Sequence, residues 1–481
     1  MSTSIKKRQF GVIWFVELWE RYAFYSFQSL FLLFITAEHL NESQGYLIFG
    51  VFAALLYMTP TLGGYIADKA LGIKRALTTG AILLLIGYIL LALSNSLSSI
   101  SWALSFIIVG NGLFKPTPTA LISKIFNKSA SNSHSAFTIY YMGVNIGSFL
   151  GIAITPIIAK HTGYSSAFWV ATLGMIIALL NYRLRISLLK SINGEYDKKP
   201  LKPRVVLGVG AAILCQIVLS YLLFQIDDIS FYLIIIFCII MFMYMLRDAL
   251  KLNNVHQKIM QIIGILLVIE AIVYFIVYNQ MFSTLILFAK HNVKLTLLGL
   301  NVSPATYGSL DSIWLIILSP VLTIIYSKCP NKHFNIPNKY AFGTVISGVG
   351  FITLYFICAN TAKAGFINGN WMIVYFFFAA LAELLVAALG FSLIAIYFRK
   401  EIVTLGMGFF MLAVAAGGAL SGKIAQFVAM PNEKLPATVS LPIYMNYFIW
   451  LGVVCIALGI IYFFISLLLH KHIKRYNLSL K

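Results

Sequence analysis

The chain has 481 residues, 60% of them hydrophobic and only 10% charged, with a mean hydropathy of +0.89. So little charge excludes an ordinary soluble domain and leaves an all-α membrane protein with many spans. The net charge of +20 comes from Lys and Arg at the ends of apolar segments, a mark of topology that argues against nucleic-acid binding.

Windows of about 20 apolar residues predict about fourteen spans: 11–35, 45–68, 76–95, 99–123, 135–159, 164–185, 204–225, 229–248, 260–289, 309–328, 340–360, 371–398, 402–428 and 441–469. The start, MSTSIKKRQF, puts basic residues before an apolar run too long and too charged for a cleavable signal, so a retained first span is expected. Placing the amino terminus inside puts about 27 basic residues on the inner side and about 5 outside, with both termini cytoplasmic. The loop with Lys290, His291 and Lys294 falls on the outer side and fits that count least well.

The first span carries Glu17, Glu20 and Arg21 where hydrocarbon belongs, all on one helical face and followed a turn later by Tyr25 and Gln28. Buried charges of this kind face a partner or a watered cavity. If Glu17 and Arg21 were simply an i, i+4 pair, Glu20 would be left alone. After span six the polar, basic connection NYRLRISLLKSINGEYDKKPLKPR reads as a linker between two six-helix bundles. The two spans after it hold no ionisable residue at depth and read as an inserted, lipid-facing hairpin. The expected domains are therefore 1–185, 186–259 (linker and hairpin) and 260–481. Pro60, Pro116, Pro118, Pro156 and Pro320 interrupt spans and remove backbone hydrogen bonds.

At a rise of about 1.5 Å per residue, Arg21, Tyr57, Lys115, Asn145 and Glu383 each arrive near the midplane of a core about 30 Å thick. Polar groups from five helices at one level predict a central binding cavity of the kind secondary transporters use. A snorkelling Lys115 is disfavoured because its stem reaches only about 6 Å. Glu383 could be an inert protonated carboxyl, Tyr25 and Tyr57 are as readily packing residues, and Glu270 reads as structural. The eight histidines lie in loops or at segment ends, so a histidine proton relay is not expected. Nor is a metal site, a cofactor or an enzymatic nucleophile. Cys215, Cys238, Cys358 and Cys455 lie inside apolar segments and Cys329 at the end of one, all expected to be reduced. Two cations with two carboxylates in the first half, and one carboxylate in the second, suit a zwitterion: its carboxylate on Arg21 and Lys115, its amine on Glu383. Glu17 and Glu20 would neutralise the cations when ionised and release them when protonated, with protons as the coupling ion.

Five stretches resemble the proton-dependent oligopeptide transporters of the major facilitator superfamily. ELWERYAFYS at Glu17 is similar to the ExxERFxYY signature, and GGYIADKALGIKR at Gly63 to the loop motif after span two. GNGLFKPTPTALISKIF at Gly110 resembles G-x-G-x-x-K-P-N with Lys115 in register. FTIYYMGVNIGSFLG at Phe137 resembles FYxxINxGSL and places Asn145, and AELLVAALGFS at Ala382 resembles the span-ten pattern and places Glu383. The hairpin and NQMFSTLILFAKHNV at Asn279 are similar to the bacterial dipeptide and tripeptide permeases. The resemblance implies the major facilitator fold, an inner-membrane monomer and alternating-access symport of protons with di- and tripeptides. It implies proton coupling through Glu17, Glu20 and Arg21, peptide-carboxylate binding by Lys115, amine binding by Asn145 and Glu383, and a pocket lined by Tyr25 and Tyr57.

The sequence departs from the pattern at Asn279, where many members have Glu, and at Asp311, where the family has Asn opening span eight. Asp311 is then expected to stand in for the span-seven acid, as an amine contact or as an ion-pair gate with Lys290. Phe24, Thr117, Ala387 and Ala388 are further departures. The rival readings are a facilitator for another small zwitterion or a drug, an intramembrane enzyme, and a channel; the channel is disfavoured because the buried charges compensate one another.

Overall fold

The computed structural model describes residues 3–38, 40–126, 130–328, 335–431 and 435–474. Cys329 lies outside them. The chain is almost entirely helical and is a multi-pass membrane protein of the major facilitator fold. Among the described residues thirteen helices are long and apolar enough to cross a membrane. The charged first helix, with 36 residues, is long enough but is not one of the thirteen.

Two compact units emerge, residues 1–40 with 55–227 and residues 41–54 with 228–481. The first holds α1 (Thr3–Glu38), the second half of α2 (Glu42–Ile66), α3 (Ile73–Ala92), α4 (Leu97–Phe114), α5 (Pro116–Phe126), α6 (Ala130–Thr162), α7 (Tyr164–Arg185) and α8 (Pro203–Gln225). The second holds the start of α2, then α9 (Asp227–Leu250), α10 (Val255–Asn279), α11 (Thr284–Asn292), α12 (Ser309–Lys328), α13 (Ile336–Thr361), α14 (Met372–Leu385), α15 (Gly390–Tyr397), α16 (Val403–Ala425) and α17 (Ala437–Lys474).

In the first unit α1 packs against α6 and α7, and α3 against α4. Close approach needs glycine: a Cβ on Gly112 would lie 2.8 Å from Thr59 Cβ, so α4 can settle on α2 only without a side chain there. Gly147 likewise lets α6 lie on the Leu18 carbonyl and the Arg21 stem. The stretch 186–199, expected as a polar linker, folds back onto the turn after α2. Asp197 accepts hydrogen bonds from the Lys74 and Gly194 backbone N–H groups, Lys74 Nζ donates to Asn193 Oδ1 at 2.6 Å, and Arg75 donates to the carbonyls of Tyr196 and Lys199.

The two extra spans are outwardly apolar, as their lack of buried charge requires, yet each is fixed to its own unit. On α8, Tyr221 stacks on Trp102 of α4 at 4.3 Å, and Ile217 joins Leu83, Val109 and Leu113. On α9, Phe242 meets Phe409 at 4.4 Å, Asp228 pairs with Lys423 at 2.7 Å, and Asp248 pairs with Arg399 at 2.7 Å. They brace α4 and α16 respectively.

At one end of the second unit, Val293–Lys294 pairs in parallel with Ile367–Asn368. Thr296–Leu297 and Leu300–Asn301 form a hairpin whose turn residues Leu298 and Gly299 both have positive φ. His291, expected in an outer loop, lies in the last turn of α11 with its side chain 10% exposed. Its Nε2 lies 3.1 Å from Glu42 Oε1, its Nδ1 3.2 Å from Tyr444 Oη, and Glu42 Oε2 accepts from the Met430 N–H at 2.9 Å.

Candidate functional site

Among the described residues three spanning segments are broken beside a residue singled out from the sequence. Pro116 has no N–H to give to the preceding turn, so the helix is broken between α4 and α5 with Lys115 at the junction. Between α10 and α11 a 3-10 turn, Gln280–Phe282, directly follows Asn279. Between α14 and α15 a 3-10 turn at Ala387–Leu389 follows Glu383 by one helical turn. Spans 260–289 and 371–398, expected as single helices, are thus each two helices joined by a tighter turn. Broken helices at depth are tolerated where backbone groups face a cavity or other protein, which is how transporters build midplane sites.

In the first unit the charges of α1 form one cluster. Arg21 makes a bidentate fork onto Glu20, Nε to Oε2 at 2.6 Å and Nη2 to Oε1 at 2.7 Å, while Glu17 Oε1 stands 3.5 Å from Arg21 Nε. The adjacent Glu20 is therefore the principal partner and the i, i+4 acid the secondary one, the reverse of what helical spacing alone suggests. Planar guanidinium and carboxylate match best as a fork, and that geometry outweighs spacing here. Glu20 is 0% exposed and Arg21 4%. The Arg21 guanidinium also lies 4.8 Å from the Phe24 ring, so Phe in place of the signature tyrosine still supplies a cation-π face.

Lys115 Nζ sits 4.6 Å above the Tyr57 ring and within electrostatic reach of Arg21, Glu20 and Glu17. It forms no ion pair with those acids, and its ammonium rests on an aromatic face. Tyr25 lies beside Arg21 and packs edge-on to Phe24. Asn145 is buried on α6, but its amide donates to the Tyr141 carbonyl of its own helix at 3.1 Å and does not join the cluster.

In the second unit Asp311, in the first turn of α12, and Glu383, on α14, face each other within hydrogen-bonding reach. The expected alternative, an ion pair between Asp311 and Lys290, is not formed. Two ionised carboxylates about 4 Å apart repel by about 4 kcal/mol at an effective dielectric near 20. No donor reaches the buried Oε2 of Glu383. Asp311 lines a small cleft of about 20 Å³ together with Tyr274, Tyr278, Ser347 and Tyr375. Asn279 is buried and donates to its own Phe275 carbonyl at 2.8 Å.

Two residues carry structure that sequence reading passed over. Tyr140, on α6, hydrogen-bonds through its hydroxyl to the Glu17 carboxylate. It lies in the same FTIYYMGVN stretch that placed Asn145, and a tyrosine five residues before it was the available signal. Gln280 holds the α10–α11 break: Nε2 donates to Ser421 Oγ at 2.9 Å, and Oε1 accepts from Tyr447 at 2.8 Å and from Thr284. A glutamine inside an apolar run, followed by Ser-Thr, was its only trace in the sequence.

The sequence pattern of the POT family matches residues 74–441. The chain is 32% identical over 466 residues to "Dipeptide and tripeptide permease A" of Proteus mirabilis, covering 96% of this chain and 95% of that protein. It is 34% identical over 463 residues to "Dipeptide and tripeptide permease B" of Salmonella typhimurium, covering 94% of each. Among solved structures, tetrameric PepTSo2 superposes with a TM-score of 0.86 at 30% identity, over 97% of this chain and 99% of that one. A second, titled as a bacterial homologue of the human drug peptide transporters PepT1 and PepT2, gives a TM-score of 0.85 at 30% identity. A signature spanning most of the chain, and relatives matched from end to end, leave one conclusion: this protein belongs to the POT family.

Proposed function

We propose that the chain is a symporter that imports di- and tripeptides together with protons by alternating access, working in the inner membrane of a bacterium with both termini cytoplasmic. The relatives named as dipeptide and tripeptide permeases support the substrate class. The observation that carries the reading is a charge asymmetry. The first unit holds Arg21 and Lys115 with Glu17 and Glu20; the second holds Asp311 and Glu383 without a cation partner among the described residues.

A peptide brings one carboxylate and one ammonium. Lys115 is the available anchor for the carboxylate because its ammonium rests on an aromatic face and forms no ion pair among the described residues, and Arg21 joins once Glu20 takes up a proton and loosens the fork. Glu383 and Asp311 take the ammonium. Tyr25 and Tyr57 flank the cations, while Asn145 and Asn279, each satisfied by its own helix, become ligands by trading that bond for one to the peptide backbone. Each chain carries both half-sites, so a single copy suffices for transport.

The test is uptake of labelled dialanine into proteoliposomes under an imposed inward proton gradient. Accumulation above equilibrium, competed by trialanine and unaffected by free alanine or sugars, is the expected result. Uptake that ignores the gradient, or that free alanine competes equally, contradicts it.

A further inference from the structure

We propose that Asp311 and Glu383 hold one exchangeable proton between them and that the ammonium group of an arriving peptide displaces it, making the acidic half-site a proton-handling centre in addition to Glu17 and Glu20. The inference rests on the peptide reading above and adds to it a role that the carboxylates of α1 do not fill.

The geometry supports it on four counts. The two carboxyls come from different helices, α12 and α14, and reach each other. No lysine, arginine or histidine among the described residues forms an ion pair with either, so nothing else neutralises the second charge. Glu383 Oε2 is buried with no hydrogen-bond partner, an arrangement that a shared proton relieves. Asp311 lines a small cleft of about 20 Å³, room for one group the size of a water or an ammonium. The titratable groups facing the pair are Tyr375 on α14, and Tyr274 and Tyr278 on α10 across the cleft; none brings a positive charge. Asn279 cannot take over the role, because an amide carries no exchangeable acid proton at this pH range.

The exchange balances. Before docking, Asp311 and Glu383 are one carboxylic acid hydrogen-bonded to one carboxylate, with net charge of minus one. The ammonium replaces the O–H donor with N–H donors to both groups, and the displaced proton leaves to water in the cleft. The complex of two carboxylates and one ammonium again carries minus one, so the buried charge does not change. Once the peptide has left, the pair regains its proton on the outer side, so this exchange carries no net proton across and leaves the symport to Glu17 and Glu20.

Calorimetric titration of the purified full-length protein with dialanine, in buffers of different ionisation heat, counts the protons exchanged on binding. Wild type is expected to release about one proton more per peptide than Asp311→Asn, which keeps a hydrogen-bond donor beside Glu383 but no exchangeable acid. Equal proton counts in the two proteins overturn the proposal. Should the variant fail to fold or to bind, the infrared difference spectrum of Glu20→Gln, in which Glu20 can no longer gain a proton, decides on adding dialanine: loss of a protonated-carboxyl band supports the exchange, and an unchanged or growing band overturns it. Failure of wild type to bind dialanine at all strikes the peptide reading instead, so the two failures are distinguishable.

Discussion

The two units bury charge in opposite ways. Around Arg21 the acids have a cation: a fork to Glu20 and a longer contact to Glu17, whose second oxygen is left without a hydrogen-bond partner. Around Glu383 there is one other acid and, among the described residues, no cation. A charge-paired cluster has to be opened before its cation can bind anything, whereas an acidic pair is completed by a cation from outside. On the proposed reading, that difference makes the first unit the switch and the second the attractor.

The largest effect that sharpens the comparison should come from the fork. Glu20→Gln removes the group that trades Arg21 for a proton, so gradient-driven uptake is expected to fall to background, while counterflow, which needs no net proton movement, loses no more than about tenfold, or ~1.4 kcal/mol. Equal loss of both would mean that Glu20 only holds α1 in place, and the first unit would then be no switch.

A smaller effect is expected at Tyr140→Phe. The Glu17 carboxylate loses the Tyr140 hydroxyl as a neighbour, so the pH profile of uptake should move while maximal uptake drops by about threefold. An unshifted profile would remove Tyr140 from the switch and leave it as packing between α6 and α1.

The smallest effect belongs outside the membrane. Lys199 lies 2.7 Å from Glu195, and its hydrogen bond and charge hold the Glu195 carboxyl below its ordinary value. A group lowered on folding contributes stability above its unfolded value and loses it as pH falls through its folded one. Both side chains are open to water, so Glu195→Gln should leave the thermal midpoint unchanged within error from neutral pH down to the acid range. A clear pH-dependent shift would show that the fold-back of 186–199 onto Lys74 and Arg75 depends on this exposed pair as well as on Asp197.

Much of this was legible in the residues themselves. Apolar runs placed the spans because no other composition fits hydrocarbon, and Glu17, Glu20, Arg21, Lys115 and Glu383 stood out because a charge within such a run is costly. What could not be read was which acid Arg21 prefers, since fork geometry depends on rotamers that spacing does not fix. The partner of Asp311 was equally hidden: Glu383 lies far along the chain, and only the packing of α12 on α14 brings them together. The breaks were half visible. Pro116 announced the first, but those after Asn279 and Glu383 come without proline and rest on side-chain bonds such as those of Gln280. His291 looked like a loop residue because its partner, Glu42, also sat in a polar stretch, and two polar stretches give no hint that they meet.

The central claim, that the first unit takes the peptide's carboxylate and the second its ammonium, is tested most directly by crossing two variants with two blocked ligands. Binding of dialanine, N-acetyl-dialanine and dialanine amide would be measured for wild type, Lys115→Met and Glu383→Gln by competition against a reporter peptide. The account predicts that acetylation costs wild type at least about tenfold, or ~1.4 kcal/mol, and costs Glu383→Gln almost nothing further, with amidation showing the same pattern in Lys115→Met. Acetylation and amidation that weaken all three proteins equally would contradict it.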